Sequence, residues 1–288
     1  MTEQTSNNDS VGIIGAGWLG LPLALKLQEK GVRVIASATS QDSEDKLKQQ
    51  GLNTCRLTLP DINSDCAVLQ CQHIVICIPP GIRYGKSDYV AKVSAIVRKA
   101  ELAKSYVKSI TLLSSTAVYN GLAGEVCEQS ELNFSSAKVE IMHQAEQTVL
   151  TSQCANKTVL RLGGLMGYDR QPGRFFKNNR SIPNPESVIN FIHRDDVIGI
   201  ICQLFECFKR TKTLNNPTNI FNCVAPSHPK RRDFYQKAFT NLGMPAPCFS
   251  EQEEQNGKLV NSIYIGNLQY QFKYPDILTC LENKTNLD

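Results

Sequence analysis

Val11-Gly12-Ile13-Ile14-Gly15-Ala16-Gly17-Trp18-Leu19-Gly20 is the stretch on which the reading of this chain turns. Val11–Ile14 is a short apolar run and predicts a strand. Trp18–Lys30 predicts a helix, with Leu19, Leu23 and Leu27 four residues apart and Gly31 at its stop. Between strand and helix stands Gly-x-Gly-x-x-Gly, and each glycine has a different task. Gly15 permits the tight turn, Gly17 lets a pyrophosphate approach the backbone, and Gly20 lets helix and strand pack closely. The free N–H groups at the start of the helix then face the phosphates. The flanking elements supply the context this motif needs, so Gly15, Ala16, Gly17, Trp18, Leu19 and Gly20 are expected to cradle a dinucleotide. The plainer alternative is a glycine turn with no ligand.

Outward from this loop, short apolar runs alternate with amphipathic stretches. Val32–Ala36, Thr54–Leu59, His73–Ile78, Val107–Leu113 and Thr158–Leu162 read as strands. Asp42–Gln50, Tyr89–Ala103 and Ser136–Ser152 read as helices. This alternation predicts βαβ units and a parallel sheet. After Gly163 the pattern changes. The stretch to Pro185 is rich in Gly, Pro, Arg and Asn and reads as a long functional loop. Val188–Ile192 and Ile220–Val224 are further strands, and Arg231–Leu242 is a helix closed by Gly243 and Pro245. Val197–Phe208 is an apolar helix with Asp195 or Asp196 as its cap. The expected architecture is α/β, a Rossmann-type doubly wound parallel sheet of about seven strands with a small C-terminal α/β lobe. The expected divisions are a loose polar tail at 1–10, a dinucleotide-binding domain at 11–165 and an interleaved substrate lobe at 166–288.

Composition narrows the function. Of 288 residues, 41% are hydrophobic and 20% charged, which excludes a disordered or collagen-like chain. The net charge of +4 comes without any Lys/Arg block, so nucleic acid is not an expected partner. Runs such as Ile74–Pro80 are far too short to span a membrane, and Met1–Ser10 lacks the features of a signal peptide. The eleven cysteines are scattered, with no CxxC pair, and read as reduced, mostly buried thiols of a cytoplasmic protein.

The choice between NAD and NADP falls near the end of the second strand, about twenty residues past the loop, where a carboxylate would bind ribose hydroxyls and repel a 2′-phosphate. That place holds Ser37, Ala38 and Thr39, with no carboxylate before Asp42, which favours NADP. No Arg follows, however, and the nearest bases are Lys46 and Lys48, so NAD stays open. Ile78, Pro79 and Pro80 follow the fourth strand where the cofactor lies in a doubly wound sheet, and the prolines make a rigid wall or merely end a strand.

These residues together resemble the short-chain dehydrogenase/reductase superfamily, in its extended or atypical NAD-dependent epimerase/dehydratase-like branch. Ser114-Ser115-Thr116-Ala117-Val118-Tyr119 is similar to the branch's S-S/T-x-x-V-Y-G segment, with Asn120 in place of the Gly. Leu160–Gly167 resembles its LRxxGxYG strand and loop, with Met166 where Tyr is usual. Asn190–Asp196 resembles the IHVDD segment, and Phe221–Val224 the YNVV strand. The resemblance runs from Val11 to about Leu281 and implies the fold. It also implies that Ser114, Gly164 and Leu165 border the cofactor and that Ser115 and Arg174 face a substrate, with Tyr119 lining the pocket or, as its plainer role, packing; a homodimer is common in that family.

One departure bears on the chemistry. The superfamily's Tyr-x-x-x-Lys pair exchanges a proton with the substrate oxygen during hydride transfer. None of the nine tyrosines here has Lys four residues later. Aligning on Glu146 puts Lys138 at the Tyr position and Met142 at the Lys position. The remaining catalytic candidates are Ser115, which would bind a substrate oxygen, and Lys138 or His143, which would carry a proton; each also has an ordinary reading as a strand-end, surface or packing residue. His193, Asp195 and Asp196 read as a helix start rather than a metal site. Arg170, Arg174 and Arg180 mark the Gly/Pro loop as a place for an anionic group or as a solvated loop. The expected function is therefore an NAD(P)-dependent oxidoreductase or epimerase/dehydratase-like protein acting on a small polar, sugar or nucleotide-sugar substrate. The alternative is a non-catalytic dinucleotide-binding module with a regulatory or redox-sensing role.

Overall fold

The structure is a computed structural model that describes residues 9–62, 66–82, 85, 87–102, 106–176, 181–210, 216–250 and 257–282. Residues 1–8 of the expected tail, Ala103 and Arg180 lie outside the described residues.

The first elements follow the reading closely: β1 (Ser10–Ile14), α1 (Gly20–Glu29), β2 (Arg33–Ala38), α2 (Gln41–Gln49), β3 (Asn53–Arg56), β4 (His73–Ile76), α3 (Tyr89–Leu102) and β5 (Ser109–Ser115). The short strand β6 (Gly124–Val126), α4 (Ala137–Leu150) and β7 (Asn156–Leu162) come next. Later come β8 (Gly164–Met166), β9 (Phe191–His193), α5 (Arg194–Lys209), β10 (Ile220–Cys223), α6 (Arg231–Asn241), β11 (Lys258–Val260) and α7 (Ile277–Glu282).

Seven strands form one sheet in the order β10-β7-β5-β4-β1-β2-β3. β1 pairs in parallel with both β2 and β4, in the registers Gly12↔Ile35 and Gly12↔Ile74. The chain therefore winds outward from β1 through β2 and β3, then returns to build the other half from β4. The reversal falls beside β1, where the glycine loop leaves the sheet. This is the doubly wound α/β arrangement expected from the alternating pattern.

Two compact units divide the described chain. One holds the residues up to Ser114 together with Ala137–Leu160, and the other holds Ser115–Ser136 and Arg161 onward. Residues 115–136 thus group with the C-terminal residues.

In the first unit β1, β4 and β5 are buried almost throughout, β4 through Ile74–Ile76 and β5 with the small hydroxyl residues Ser109, Thr111 and Ser114 among its apolar ones. A Cβ on Gly12 would lie 2.1 Å from the Val68 carbonyl oxygen, so the 3-10 turn at Ala67–Gln70 presses directly on β1. α4 buries Val139, Met142, Glu146 and Val149, one face at helical spacing. β3 (Asn53–Arg56) is shorter than the expected Thr54–Leu59, its pairing with β2 closing on the Leu57 N–H to Ala38 carbonyl bond (2.9 Å).

In the second unit β8 pairs in parallel with β9, and β6 with β11. A separate core gathers Ile182, Ile189, Phe234, Tyr235, Phe239 and Ile277. Two expectations shift here. The strand expected at Val188–Ile192 begins only at Phe191, because the backbone before it pairs elsewhere, Val188 bridging Lys230 and the Ile189 N–H donating to the Pro229 carbonyl (3.0 Å). The stretch to Pro185 is also more than a loop, since it contains β8 and a 3-10 turn at Pro172–Phe175.

Candidate functional site

The three glycines of the first loop stand in three different surroundings. Gly15 has φ 95°, a left-handed conformation, and a Cβ there would come within 3.1 Å of the Cys77 carbonyl carbon and the Ile78 nitrogen. A Cβ on Gly20 would lie 2.3 Å from the Gly15 carbonyl oxygen. A Cβ on Gly17 would meet nothing within 4 Å, so this glycine faces open space. Trp18 is half-buried and Leu19 buried. α1 opens with no capping side chain and no acidic residue in its first turn. An open glycine before an uncapped helix end fits a pyrophosphate, whose charge the helix N-terminus favours.

Ser37 is buried near the end of β2, and its hydroxyl oxygen accepts the Gly15 N–H at 3.0 Å. A residue chosen for its position near the ribose thus holds the loop itself. Ala38 ends β2, and exposed Thr39 follows it. Ser40 caps α2 by accepting the Ser43 N–H. Opposite Ala38 in the β2–β3 register stands Arg56, an exposed guanidinium 3.6 Å from Glu44. Of the bases named from sequence, Lys48 is turned to Glu44 (2.8 Å). Strand pairing therefore brings up a basic residue that counting along the chain missed.

Ile78, Pro79 and Pro80 follow β4 and Cys77, whose N–H bonds the Ile14 carbonyl at 2.8 Å. The Pro80 carbonyl accepts the Ser87 hydroxyl at 2.6 Å. Ser114 donates to the fully buried Glu146 carboxylate at 2.5 Å. Tyr89 on α3 is buried, and its hydroxyl has no hydrogen-bond partner among the described residues. Burial, then the nearby Glu146 charge, pushes this phenol well above its usual value. The search for a Tyr-x-x-x-Lys spacing had no means of finding it. Lys138 is exposed in the first turn of α4, and His143 is half-buried further along the same helix.

In the second unit Ser115 caps the 3-10 turn at Thr116–Tyr119, its hydroxyl accepting the Ala117 N–H at 3.2 Å. Tyr119 is fully buried. Its hydroxyl donates to Asn222 Oδ1 (2.9 Å) and accepts from Arg161 Nη1 (2.8 Å). Burial, only partly offset by Arg161, raises its pKa. Gly164 is needed for packing, since a Cβ would lie 1.9 Å from the Phe191 ring; Leu165 follows it, half-buried, in β8. Arg174 and Arg170 are exposed.

His193 has no exposed surface and packs on Tyr274, with ring centroids 4.0 Å apart. It is also the cap of α5, because its Nδ1 accepts the Asp195 N–H at 3.2 Å. This corrects the expectation that Asp195 or Asp196 caps that helix; both sit inside its first turn. Burial alone would raise Asp195, but the Lys273 ammonium and the Tyr168 hydroxyl, each at 2.9 Å, outweigh it and hold the carboxyl below its usual value. Burial wins at Asp196, which is raised although Tyr270 and the Lys273 and Tyr274 N–H groups all donate to it. These carboxylates are spent on protein donors. Among the described residues no group of three His, Cys, Asp or Glu side chains is arranged to hold a metal.

Known proteins give this geometry its relatives. The family model of the NAD binding domain of 6-phosphogluconate dehydrogenase matches residues 10–118, from β1 through the end of β5. Protein YeeZ of Escherichia coli K12 is 32% identical, over 93% of this chain and 97% of its own. A conserved protein of Silicibacter pomeroyi shares the fold with a TM-score of 0.76 at 20% identity, covering 96% of this chain and 99% of its own. The UDP-glucuronic acid 4-epimerase of Bacillus cereus, solved in complex with NAD, superposes with a TM-score of 0.72 at 13% identity, over 95% and 96%. Among the described residues no helix is long and apolar enough to cross a membrane. With an NAD-binding Rossmann domain and an epimerase/dehydratase-like fold, this chain belongs to the family of Protein YeeZ.

Proposed function

We propose that this protein binds NADP in preference to NAD at its glycine loop and acts, in the cytoplasm and as a homodimer, on a small polar substrate of the sugar or nucleotide-sugar class. The observation that carries the reading is the open space at Gly17 in front of an uncapped α1. Support for the phosphate comes from the carboxylate-free end of β2 and from Arg56 across from Ala38. Support for the substrate class comes from the fold shared with an epimerase of UDP-glucuronic acid.

When bound, the nicotinamide supplies hydride transfer. Gly15, Ala16, Gly17, Trp18, Leu19 and Gly20 hold the pyrophosphate, and Ile78, Pro79, Pro80 and Ser114 border the nucleotide. Gly164, Leu165 and Arg174 keep the roles the resemblance gives them. Ser115 hydrogen-bonds a substrate oxygen, and Lys138 or His143 moves the proton. The missing Tyr-x-x-x-Lys and the exposed position of Lys138 favour a second reading, a dinucleotide-binding regulatory module without turnover.

Trp18, the single tryptophan, lies inside the loop and reports on it. Titration of the protein with NADPH quenches its emission saturably and more tightly than titration with NADH. Silence toward both dinucleotides overturns the oxidoreductase reading. With a panel of UDP-sugars and NADP, reduced nicotinamide accumulates, and Ser115→Ala lowers that rate at least ~100-fold. A panel with no turnover leaves the regulatory reading standing. Arg56→Ala weakens NADPH about tenfold and leaves NADH unchanged. An equal loss for both dinucleotides removes Arg56 from the 2′-phosphate.

A further inference from the structure

Cys55 and Cys66 stand apart from the other nine cysteines of the chain. Their sulfur atoms are 3.3 Å apart, from thiols that are both free. Cys55 lies on β3, directly opposite Ser37 in the strand register, and Ser37 holds the Gly15 amide. Cys66 precedes the 3-10 turn at Ala67–Gln70, the turn that presses on Gly12 of β1.

Their surroundings divide the two thiols into an attacking and a resolving partner. The hydrogen bond between the two thiols holds Cys55 below its usual value, although burial opposes it. The same bond, together with burial, pushes Cys66 upward. Cys55 is half-buried and so open to a small oxidant, while Cys66 is buried. The third thiol of this region, Cys71, bonds the Ala67 carbonyl (3.7 Å) and is raised to about 11 by burial. A low-pKa, accessible sulfur beside a sheltered second thiol is the arrangement peroxide-sensing pairs use.

We propose that Cys55 and Cys66 form a reversible, peroxide-driven disulfide site. The Cys55 thiolate attacks one oxygen of hydrogen peroxide; the S–O bond forms, the O–O bond breaks, and hydroxide leaves, to be protonated to water. The Cys66 sulfur then attacks the Cys55 sulfenic acid. The S–S bond forms, the S–O bond breaks, and the Cys66 proton leaves with the oxygen as a second water. Two thiols lose two electrons and one peroxide becomes two waters. Closing the pair from 3.3 Å to a bond of about 2.05 Å asks for a small local movement. A dithiol reductant reverses the change by exchange. The inference does not rest on the cofactor reading.

The test uses the reduced full-length chain and one equivalent of hydrogen peroxide, followed by alkylation and peptide mapping without reductant. Wild type loses about 2 Da, yields a peptide joining Cys55 to Cys66, and regains the mass with dithiothreitol. Cys66→Ser instead accumulates the sulfenic acid on Cys55, about 16 Da heavier and trapped by dimedone. A wild-type map in which the exposed Cys248 is oxidised while Cys55 and Cys66 stay alkylated overturns the proposal. So does a map that joins Cys55 to Cys71. The wild-type map decides the matter even where the variant does not fold.

Discussion

Gly17→Ala leaves the protein folded, with an unfolding midpoint within about 2 °C of wild type, and weakens both NADPH and NADH at least ~100-fold. The added methyl meets no protein atom within 4 Å, and Gly17 lies outside the left-handed region, so alanine strains neither packing nor backbone. All of its effect falls on whatever occupies the open space. Gly20→Ala behaves differently. Its Cβ would sit 2.3 Å from the Gly15 carbonyl, and relieving that clash costs about 1–3 kcal/mol of stability together with binding. Thermal unfolding and Trp18 titration of both variants separate the two effects. A Gly17→Ala protein that binds both dinucleotides like wild type removes the loop from pyrophosphate binding.

Glu128→Ala destabilises the second unit by about 3–5 kcal/mol. This buried carboxylate accepts the Asn222 N–H (2.8 Å), the Ser262 hydroxyl (3.0 Å) and the Ile263 N–H (3.0 Å). It thereby joins β10 to the segment after β11. Alanine leaves those donors without their acceptor in a place water does not freely reach, and the cost is the desolvation of each. Glu125→Ala is the control, because that side chain is exposed and bonds only Asn261 (3.1 Å); its effect stays within about 0.5 kcal/mol. Urea unfolding followed by circular dichroism measures both. Equal midpoints for the two variants contradict this account of Glu128.

The doubly wound sheet was legible because its strands and helices announce themselves locally. Leu19, Leu23 and Leu27 keep helical spacing, and β1 and β4 each carry a short apolar run, Ile13–Ile14 and Ile74–Ile76. The glycine loop was legible because its spacing is local, with Gly15 in a left-handed turn and Gly20 packed on the Gly15 carbonyl five residues before it. What escaped the sequence depends on pairings between distant residues. Ser37 reaches Gly15 across 22 positions, and Arg56 meets Ala38 only through register. The buried phenol of Tyr89 belongs with Glu146, far along the chain. The cap of α5 escaped for another reason. Histidine seldom caps a helix, and two aspartates beside it offered the more usual choice. β6 and β8 are three residues each, too short to carry a period.

The bond between Ser37 and Gly15 also bears on the kinetics of binding. A loop that had to find its shape around a phosphate would lose chain entropy at the moment of encounter. Here the first amide of the loop is already anchored by a buried hydroxyl, and the Cys77–Ile78 backbone just after β4 lies against it. The ordering is complete before any ligand arrives. In the proposed reading an incoming dinucleotide therefore meets a loop already shaped, and its capture is expected to follow diffusion and docking.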